Sequence, residues 1–460
     1  MTKNNNNKEN PKEEELRKEN ERLKRENEEL KRRLEKTRRE KETIEREFEE
    51  YKLRHPETTG VKNGKPYHIK QSSTSTSKAP GKPGAKPGHK PAYRPLPPTA
   101  DEVVKVPVNI CPICQGTNLS SVQETRTRTI EDLPICEPVV KQFEIERRYC
   151  RDCRKLVEAP VVEALPKARL GLRVMLIVVY LHIQLRLPVE AIPQLLKSLF
   201  NLTISEGEVI EILAQVDRAF GPYYEELVEG VRSASVRGMD ETSWRINGEN
   251  VWLWAFITKG IALYKIAYSR SHEVPLEVLG CDANGVDIHD RFSAYETLAR
   301  KTKRVQQICW AHLLQDAREL ASFYGEDGKR LRRVLKRVYR AAKQFNHQGT
   351  TADVEKLFRD LKFYLVQGFK SHHVRRFAEN LLKAKDKLFT FVTHPEVDST
   401  NNAAERGLRH SVIARKISGG SKSDRGAQIY ERLTSIAHTL NKRDQNLLTH
   451  GPQIISTSHG

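Results

Sequence analysis

Between residues 233 and 310 the sequence falls into short apolar runs that suit strands, and two of them end on aspartate. Val236-Arg237-Gly238-Met239-Asp240 comes just before strand-like stretches at residues 251–258 and 262–268. Val286-Asp287-Ile288-His289-Asp290 leads into Arg291-Phe292-Ser293-Ala294-Tyr295, a helix over residues 293–300 and a last strand over 304–309. The order of four strands, a helix and a strand commits this part of the chain to one α/β sheet, with acidic groups delivered at strand ends.

A third acid, Glu405, lies in Asn401-Asn402-Ala403-Ala404-Glu405-Arg406-Gly407-Leu408-Arg409, which reads as a helix start. Two strand-end aspartates and a helix-borne glutamate suit a pair of magnesium or manganese ions, because hard cations take oxygen ligands. Two such ions can clamp the attacking and leaving oxygens of a phosphodiester. Each acid has a competing reading. Glu241 adjoins Asp240 but faces the other side of an extended strand. Asp287 faces away from Asp290, and Asp282 belongs to a turn with Asn284-Gly285. Asn402 and Glu405 can be a capping pair, and Glu405 and Arg409 an i,i+4 ion pair. Beyond Glu405, Arg409, Arg415, Lys416 and Lys422 flank Gly419-Gly420-Ser421 as candidates to hold a DNA strand, against the alternative of an ordinary basic surface. In Cys309-Trp310-Ala311-His312, His312 is a candidate to position a phosphate or a carboxylate, though a core histidine beside a buried cysteine is the favoured reading.

Outside the sheet the chain divides by composition. In residues 12–54, Leu16, Leu23, Leu30, Thr37, Ile44 and Tyr51 recur every seven residues, with Asn20, Asn27, Leu34, Lys41 and Phe48 in the complementary seam. That pattern predicts a parallel coiled-coil dimer held in register by its asparagines. Residues 55–100 are a basic Pro/Gly/Ser-rich linker. Residues 101–160 carry Cys111-Pro112-Ile113-Cys114 and Cys150-Arg151-Asp152-Cys153. Those four thiolates, Cys111, Cys114, Cys150 and Cys153, suit tetrahedral zinc in a small β module, with strands expected at residues 126–130 and 139–145 and Cys136 as buried filler. Residues 165–232 read as helical, with a capping box at Ser205 and Glu208. The segment has the outline of a helix-turn-helix, but its second helix carries Glu206, Glu208 and Glu211, which repel phosphate. Residues 311–395 read as a basic helical insertion before the helix bearing Glu405, and residues 441–460 as a frayed polar end.

A net charge of +19 favours a polyanionic partner, against the alternative of mere solubility. Seven cysteines, an odd number in a chain this long, argue against a disulfide scaffold and point to a reducing cytoplasm. No uncharged apolar run is long enough to span a membrane, and the asparagine-rich N-terminus does not read as a signal peptide.

In order along the chain, these motifs resemble the transposases of the insertion-sequence-66 type. The matching residues are Pro87-Gly88-His89, the two Cys-x-x-Cys knuckles, Leu187-Pro188, Asp240-Glu241-Thr242 and Asp290-Arg291-Phe292-Ser293-Ala294-Tyr295. They continue with Cys309-Trp310-Ala311-His312, Asn401-Asn402-Ala403-Ala404-Glu405-Arg406, Arg415-Lys416 and residues 421–427. Arg291 departs from the small residue often found there. The resemblance implies a multidomain chain: an N-terminal coiled coil, a small zinc-binding β module, a helical region that is a candidate DNA binder, and over residues 233–440 an α/β ribonuclease H-like catalytic domain with a helical insertion. It also implies that Asp240, Asp290 and Glu405 bind catalytic magnesium or manganese. The implied activity is cutting insertion-sequence ends and joining their 3′-hydroxyls to double-stranded target DNA. The partners are the element ends, the target, a second subunit and accessory element-encoded proteins, in a prokaryotic, nucleoid-associated setting. The alternatives are a catalytically inactive or regulatory DNA-binding derivative, and a hydrolytic ribonuclease H-like nuclease.

Overall fold

The computed structural model describes residues 98–457 except 135 and 283, together with scattered helical positions between residues 19 and 35. The expected coiled coil and linker lie almost wholly outside the described residues. The chain divides into two units, Met1–Val103 and Val104–Gly460, and the second contains the sheet.

The second unit begins with a hairpin. Strand β1 (Arg147–Cys150) pairs antiparallel with β2 (Lys155–Glu158) across the turn made by the second cysteine knuckle, Cys150 facing Lys155. The strands expected at residues 126–130 and 139–145 do not form. Ile130, Val139 and Val140 are exposed, so there is no buried face to fix a register, whereas the tight turn at the knuckle does fix one. Cys136, expected to be buried, is exposed.

Four helices follow: α1 (Leu172–Val179, continued by a π-helical turn over Tyr180–Gln184), α2 (Ala191–Phe200), α3 (Glu206–Ala219) and α4 (Gly221–Arg232). Pro193 falls in the first turn of α2, where its missing N–H leaves no intrahelical bond unmade. The capping box forms as the sequence predicts: the Ser205 hydroxyl accepts from the Glu208 N–H at 3.2 Å and the Glu208 carboxylate accepts from the Ser205 N–H at 2.8 Å.

The sheet comprises β3 (Val236–Ile246), β4 (Glu249–Ile257), β5 (Ala262–Ala267), β6 (Val286–His289) and β7 (Val305–Ile308), in the spatial order β5-β4-β3-β6-β7. The first three strands form an antiparallel meander; β6 lies parallel to β3 and β7 parallel to β6. Helix α5 (Glu273–Leu279), absent from the expected order, precedes β6, and α6 (Ser293–Thr302) precedes β7. A parallel neighbour needs a crossover, so the topology requires both helices. After β7 come α7 (Trp310–Phe323), α8 (Gly325–Gln344), α9 (Thr351–Leu365), α10 (His372–Lys383) and the short turns α11 (Lys385–Leu388) and α12 (Thr390–Thr393). The chain then returns through α13 (Asn402–Ser418) and α14 (Asp424–Lys442) to α15 (Leu447–Thr457).

Two hydrophobic cores sit around the sheet. One joins Leu176, Leu213 and Val216 of the helical region to Trp254 and Tyr264 of the sheet and Leu433 and Ala437 of α14, so residues 165–232 share a core with the sheet. The other joins Val286, Ile288 and Ile308 to Trp310, Leu335, Leu361 and Phe389 of the insertion. The chain beyond residue 441 is not frayed over its described part. Leu447 and Ile455 of α15 are buried, and Gly451 lies so close to Leu176 and Phe220 that a side chain there would press on them.

Edge strand β5 is closed by side chains rather than by another strand. Glu431, Ser435 and Thr439 stand four residues apart along α14. Their oxygens accept the outward N–H groups of Ile266, Tyr264 and Ala262 at 2.5, 2.9 and 3.0 Å. Covering an edge this way removes a template for pairing with other chains.

Candidate active site

Parallel pairing brings the two aspartates to one level. The last β3–β6 partners are Gly238 and Ile288, and Asp240 and Asp290 each lie two residues beyond. Glu405 is in the first turn of α13, which packs on β3 and β4. Asn401, fully buried at the head of that helix, fixes the approach. Its side-chain amide donates to the Met239 carbonyl at 2.7 Å, next to Asp240, and its backbone N–H donates to the Cys309 sulfur at 3.1 Å. Two glycines permit the contact. A Cβ at Gly238 would fall 2.9 Å from the Asn401 side-chain oxygen, and one at Gly407 would fall 3.0 Å from Ile257. Asn401 rather than Asn402 therefore heads the helix, and it serves the sheet rather than capping Glu405.

The carboxylates feel one another. The Asp240 carboxyl is pushed up to about 7, first by burial and then by the Glu241 charge, with Asp290 and Glu405 adding to the shift. Only the Glu241 N–H, donated to Asp240 Oδ1 at 3.0 Å, favours the ionised form. Asp290 Oδ1 accepts the Phe292 N–H at 2.8 Å, which holds the turn after β6. Glu405 makes its ion pair with His312, at 3.6 Å, and not with Arg409. The His312 ring is raised to about 9, first by the neighbouring Cys309 sulfur and further by the Glu405 and Asp290 charges, which favours its charged form. Among the described residues, Cys309, His312 and Glu405 are a group whose ligand atoms all lie within 4.8 Å of one another.

Two of the competing acids have structural partners, while Asp282 is exposed. Glu241 accepts from the Tyr295 hydroxyl at 2.5 Å and from Arg270 at 2.7 Å, with the Arg270 guanidinium held between the rings of Trp252 and Phe292. Asp287 is buried against Arg237 at 2.8 Å. Arg291 turns away from Asp290 to pair with Asp316 and stack on Phe377.

The four cations singled out beyond Glu405 separate. Arg409 is exposed and lines a cleft of about 340 Å³ together with Asp240, Thr242, Glu405 and Val412, and Glu241, expected on the opposite side from Asp240, lines it too. Arg415 is spent on the fold, donating to the Ser243 carbonyl and hydroxyl. Lys416 is exposed on α13. Lys422 follows Ser421, which bridges to Ile246 at the far end of β3, roughly 20 Å along the strand from Asp240. At the knuckles, the Cys111 thiol is lowered first by the Cys114 N–H and then by that of Ile113, and Cys150 likewise by Cys153 and Asp152. Among the described residues the four knuckle sulfurs do not come together as one ligand group.

Sequence reasoning missed Asn401 as an anchor and the pairing of Glu241 with Tyr295; it offered His312 as a candidate to position a carboxylate but favoured a core histidine, whereas the ring is half-exposed and pairs with Glu405. The doubled asparagine was the available signal for Asn401, but at a helix start it reads as a cap.

The model of the Transposase IS66 family matches residues 167–429, from the helical region through the start of α14. The chain belongs to the IS66 transposase family. The match spans all three acids as well as Asn401 and the Cys309–His312 pair. An uncharacterized protein of Sinorhizobium fredii, y4hP, is 23% identical over 371 residues, covering 71% of this chain and 66% of that protein. A second from the same organism, y4jO, also uncharacterized, is 28% identical over 141 residues, covering 29% of this chain and 43% of that protein. This IS66-family chain thus spans just under two thirds of the length of y4hP and less than half of y4jO. Among its described residues, no helix is long and apolar enough to cross a membrane.

Proposed function

We propose that this chain is a DNA transposase of the DDE type, in which Asp240, Asp290 and Glu405 hold divalent cations at a ribonuclease H-like sheet. The observation that carries the reading is geometric: the β3–β6 register sets Asp240 and Asp290 at one level, and Asp240 and Glu405 line one cleft although far apart in sequence. A meander of three strands followed by two parallel strands supports the ribonuclease H-like assignment. Half-buried, neighbouring carboxylates fit magnesium or manganese, since oxygen donors of concentrated negative charge are what a hard cation requires. When bound, such ions supply charge stabilisation to the attacking and leaving oxygens of a phosphodiester.

The chain's own groups set the stage for that chemistry. Asp240 and Asp290 are held by the β3–β6 register, and Glu405 is oriented by Asn401 through the helix and by His312 through its carboxylate. Arg409, at the rim of the cleft, would bind the phosphate flanking the scissile bond. The proposed reaction is hydrolysis that frees a 3′-hydroxyl at each element end, followed by attack of that hydroxyl on target duplex DNA. The knuckle cysteines are proposed zinc ligands, supported by N–H groups directed at the Cys111 and Cys150 sulfurs. Their closure into one site, the zipper-mediated dimer, accessory element-encoded proteins and nucleoid association belong to the same proposal.

The test is a magnesium-dependent cleavage and strand-transfer assay on the element's end DNA with a target plasmid, run beside Asp240→Ala, Asp290→Ala and Glu405→Ala. Joined products in the wild type and their loss in all three variants are expected. Cleavage without joining would favour a hydrolytic nuclease, and specific binding without cleavage a regulatory derivative.

A further inference from the structure

The basic run Lys329-Arg330-Leu331-Arg332-Arg333 and its continuation along α8 split into two faces. On one, every arginine is engaged by protein. Arg330 donates to the carbonyls of Tyr364 and Gly368 at 3.1 and 3.2 Å, Arg333 pairs with Glu326, and Arg337 donates to the Tyr364 hydroxyl at 2.8 Å. On the other stand Arg332, Lys336 and Arg340, four residues apart. Among the described residues no acid, hydrogen bond or ring meets them, and the Arg332 Nε is buried without a partner. Arg318 of α7 joins this face. The charges press on one another: the Lys336 ammonium is lowered first by Arg332, then by burial, and then by Arg340 and Arg318.

A fold does not gather unpaired cations for its own stability, since like charges at helical spacing repel. The spacing along α8 places one cation about every 6 Å. Tyr339 stacks on Trp310 with ring centroids 5.0 Å apart, so the C-terminal half of α8 packs beside the start of α7, the helix that also carries His312.

We propose that Arg332, Lys336 and Arg340, with Arg318, form a docking track for the phosphate backbone of duplex DNA whose scissile bond lies at the three acids. The partner is chosen by charge complementarity. The proposal rests on the DNA-processing reading and assigns it a surface outside the matched acidic motifs. Contacts to the backbone carry no sequence information, so the track supplies affinity and orientation rather than end recognition.

The experiment measures binding of the full chain to a fluorescein-labelled random-sequence duplex by anisotropy across a salt series. The wild type is compared with the triple variant Arg332→Gln, Lys336→Gln, Arg340→Gln. A control variant of equal charge change, Lys356→Gln, Arg359→Gln, Lys362→Gln, lies on the exposed face of α9. Each phosphate that a cation neutralises adds about 0.9 to the steepness of log affinity against log salt, so the triple variant should be shallower by between about two and three. The control should keep the wild-type slope. Equal slopes in wild type and triple variant, or an equal reduction in the control, overturn the track; a wild type that does not bind duplex at all overturns the DNA reading beneath it. Should the triple variant melt below the wild type, Lys336→Gln alone carries the test, with a slope reduction of about one expected. Lys336→Arg should restore that slope, and an unchanged slope in Lys336→Gln overturns the track.

Discussion

At the scale of single residues, the Asp240 carboxyl is the most strained acid of the proposed site. Its proton is held more tightly in the folded than in the unfolded chain. The stabilising contribution is therefore complete below the ordinary carboxylate range and is lost as pH rises through about 7. Asp240→Asn removes a carboxylate that would otherwise be ionised against its neighbours. In metal-free buffer the variant should melt a few degrees above the wild type near pH 8, which corresponds to about 1–2 kcal/mol, and show little gain near pH 5. Glu431 is also raised to about 7 by burial, but it is present in both proteins and cancels in the difference. Added magnesium should raise the wild-type melting temperature and leave the variant's unchanged. Equal melting curves at both pH values would show that the carboxylates do not strain one another. Asp290 follows β6 directly, as its strand-like run predicts, but Asp240 does not end its strand: β3 continues through it to Ile246, because the pairing with β4 runs on to Glu249. Asn401 was not legible in sequence, because its partner is a backbone carbonyl that lies 162 positions away.

At the scale of elements, α14 shows how a helix can be polar and buried at once. Glu431, Ser435 and Thr439 would read on a helical wheel as a solvent face, yet all three are buried against the open edge of β5. Ser435→Ala leaves the Tyr264 N–H without its acceptor, away from water. The expected cost is about 1–3 kcal/mol, measured by denaturant unfolding. A variant as stable as the wild type would mean that the edge is satisfied by water instead. The missing α5 has a similar lesson: its seven residues contain Pro275 and give weak periodicity, but parallel pairing of β6 with β3 leaves no route without a crossover.

At the scale of the whole molecule, the sheet of the second unit is packed by segments from both ends of that unit. Helix α15, more than two hundred residues after α1, completes the core that α1 begins. Truncation after Lys442 should therefore destabilise the second unit rather than trim a tail. Exposing the surface that Leu447 and Ile455 cover costs about 3–6 kcal/mol, visible as a lower melting temperature for a single cooperative transition. An unchanged transition would mean that α15 contributes nothing to the core. The insertion, α7 to α12, has a core of its own against β6 and β7, which leaves the outer face of α8 available for its cations.

The sequence by itself determined the strands β4 to β7, the helix α6 and the capping box at Ser205, because each is written in residues close together: a period or a cap. The membership of one family followed from the order of such motifs. Only the tertiary structure decided which neighbours each acid has. It sent Glu241 to Tyr295, Asp287 to Arg237 and Glu405 to His312, and it separated Arg409 from Lys422 by the length of half a strand. It also divided one basic run into spent and unspent charges. These outcomes depend on long-range register and helix approach, which local pattern does not encode, since the same residue types satisfy several local readings until distant segments meet.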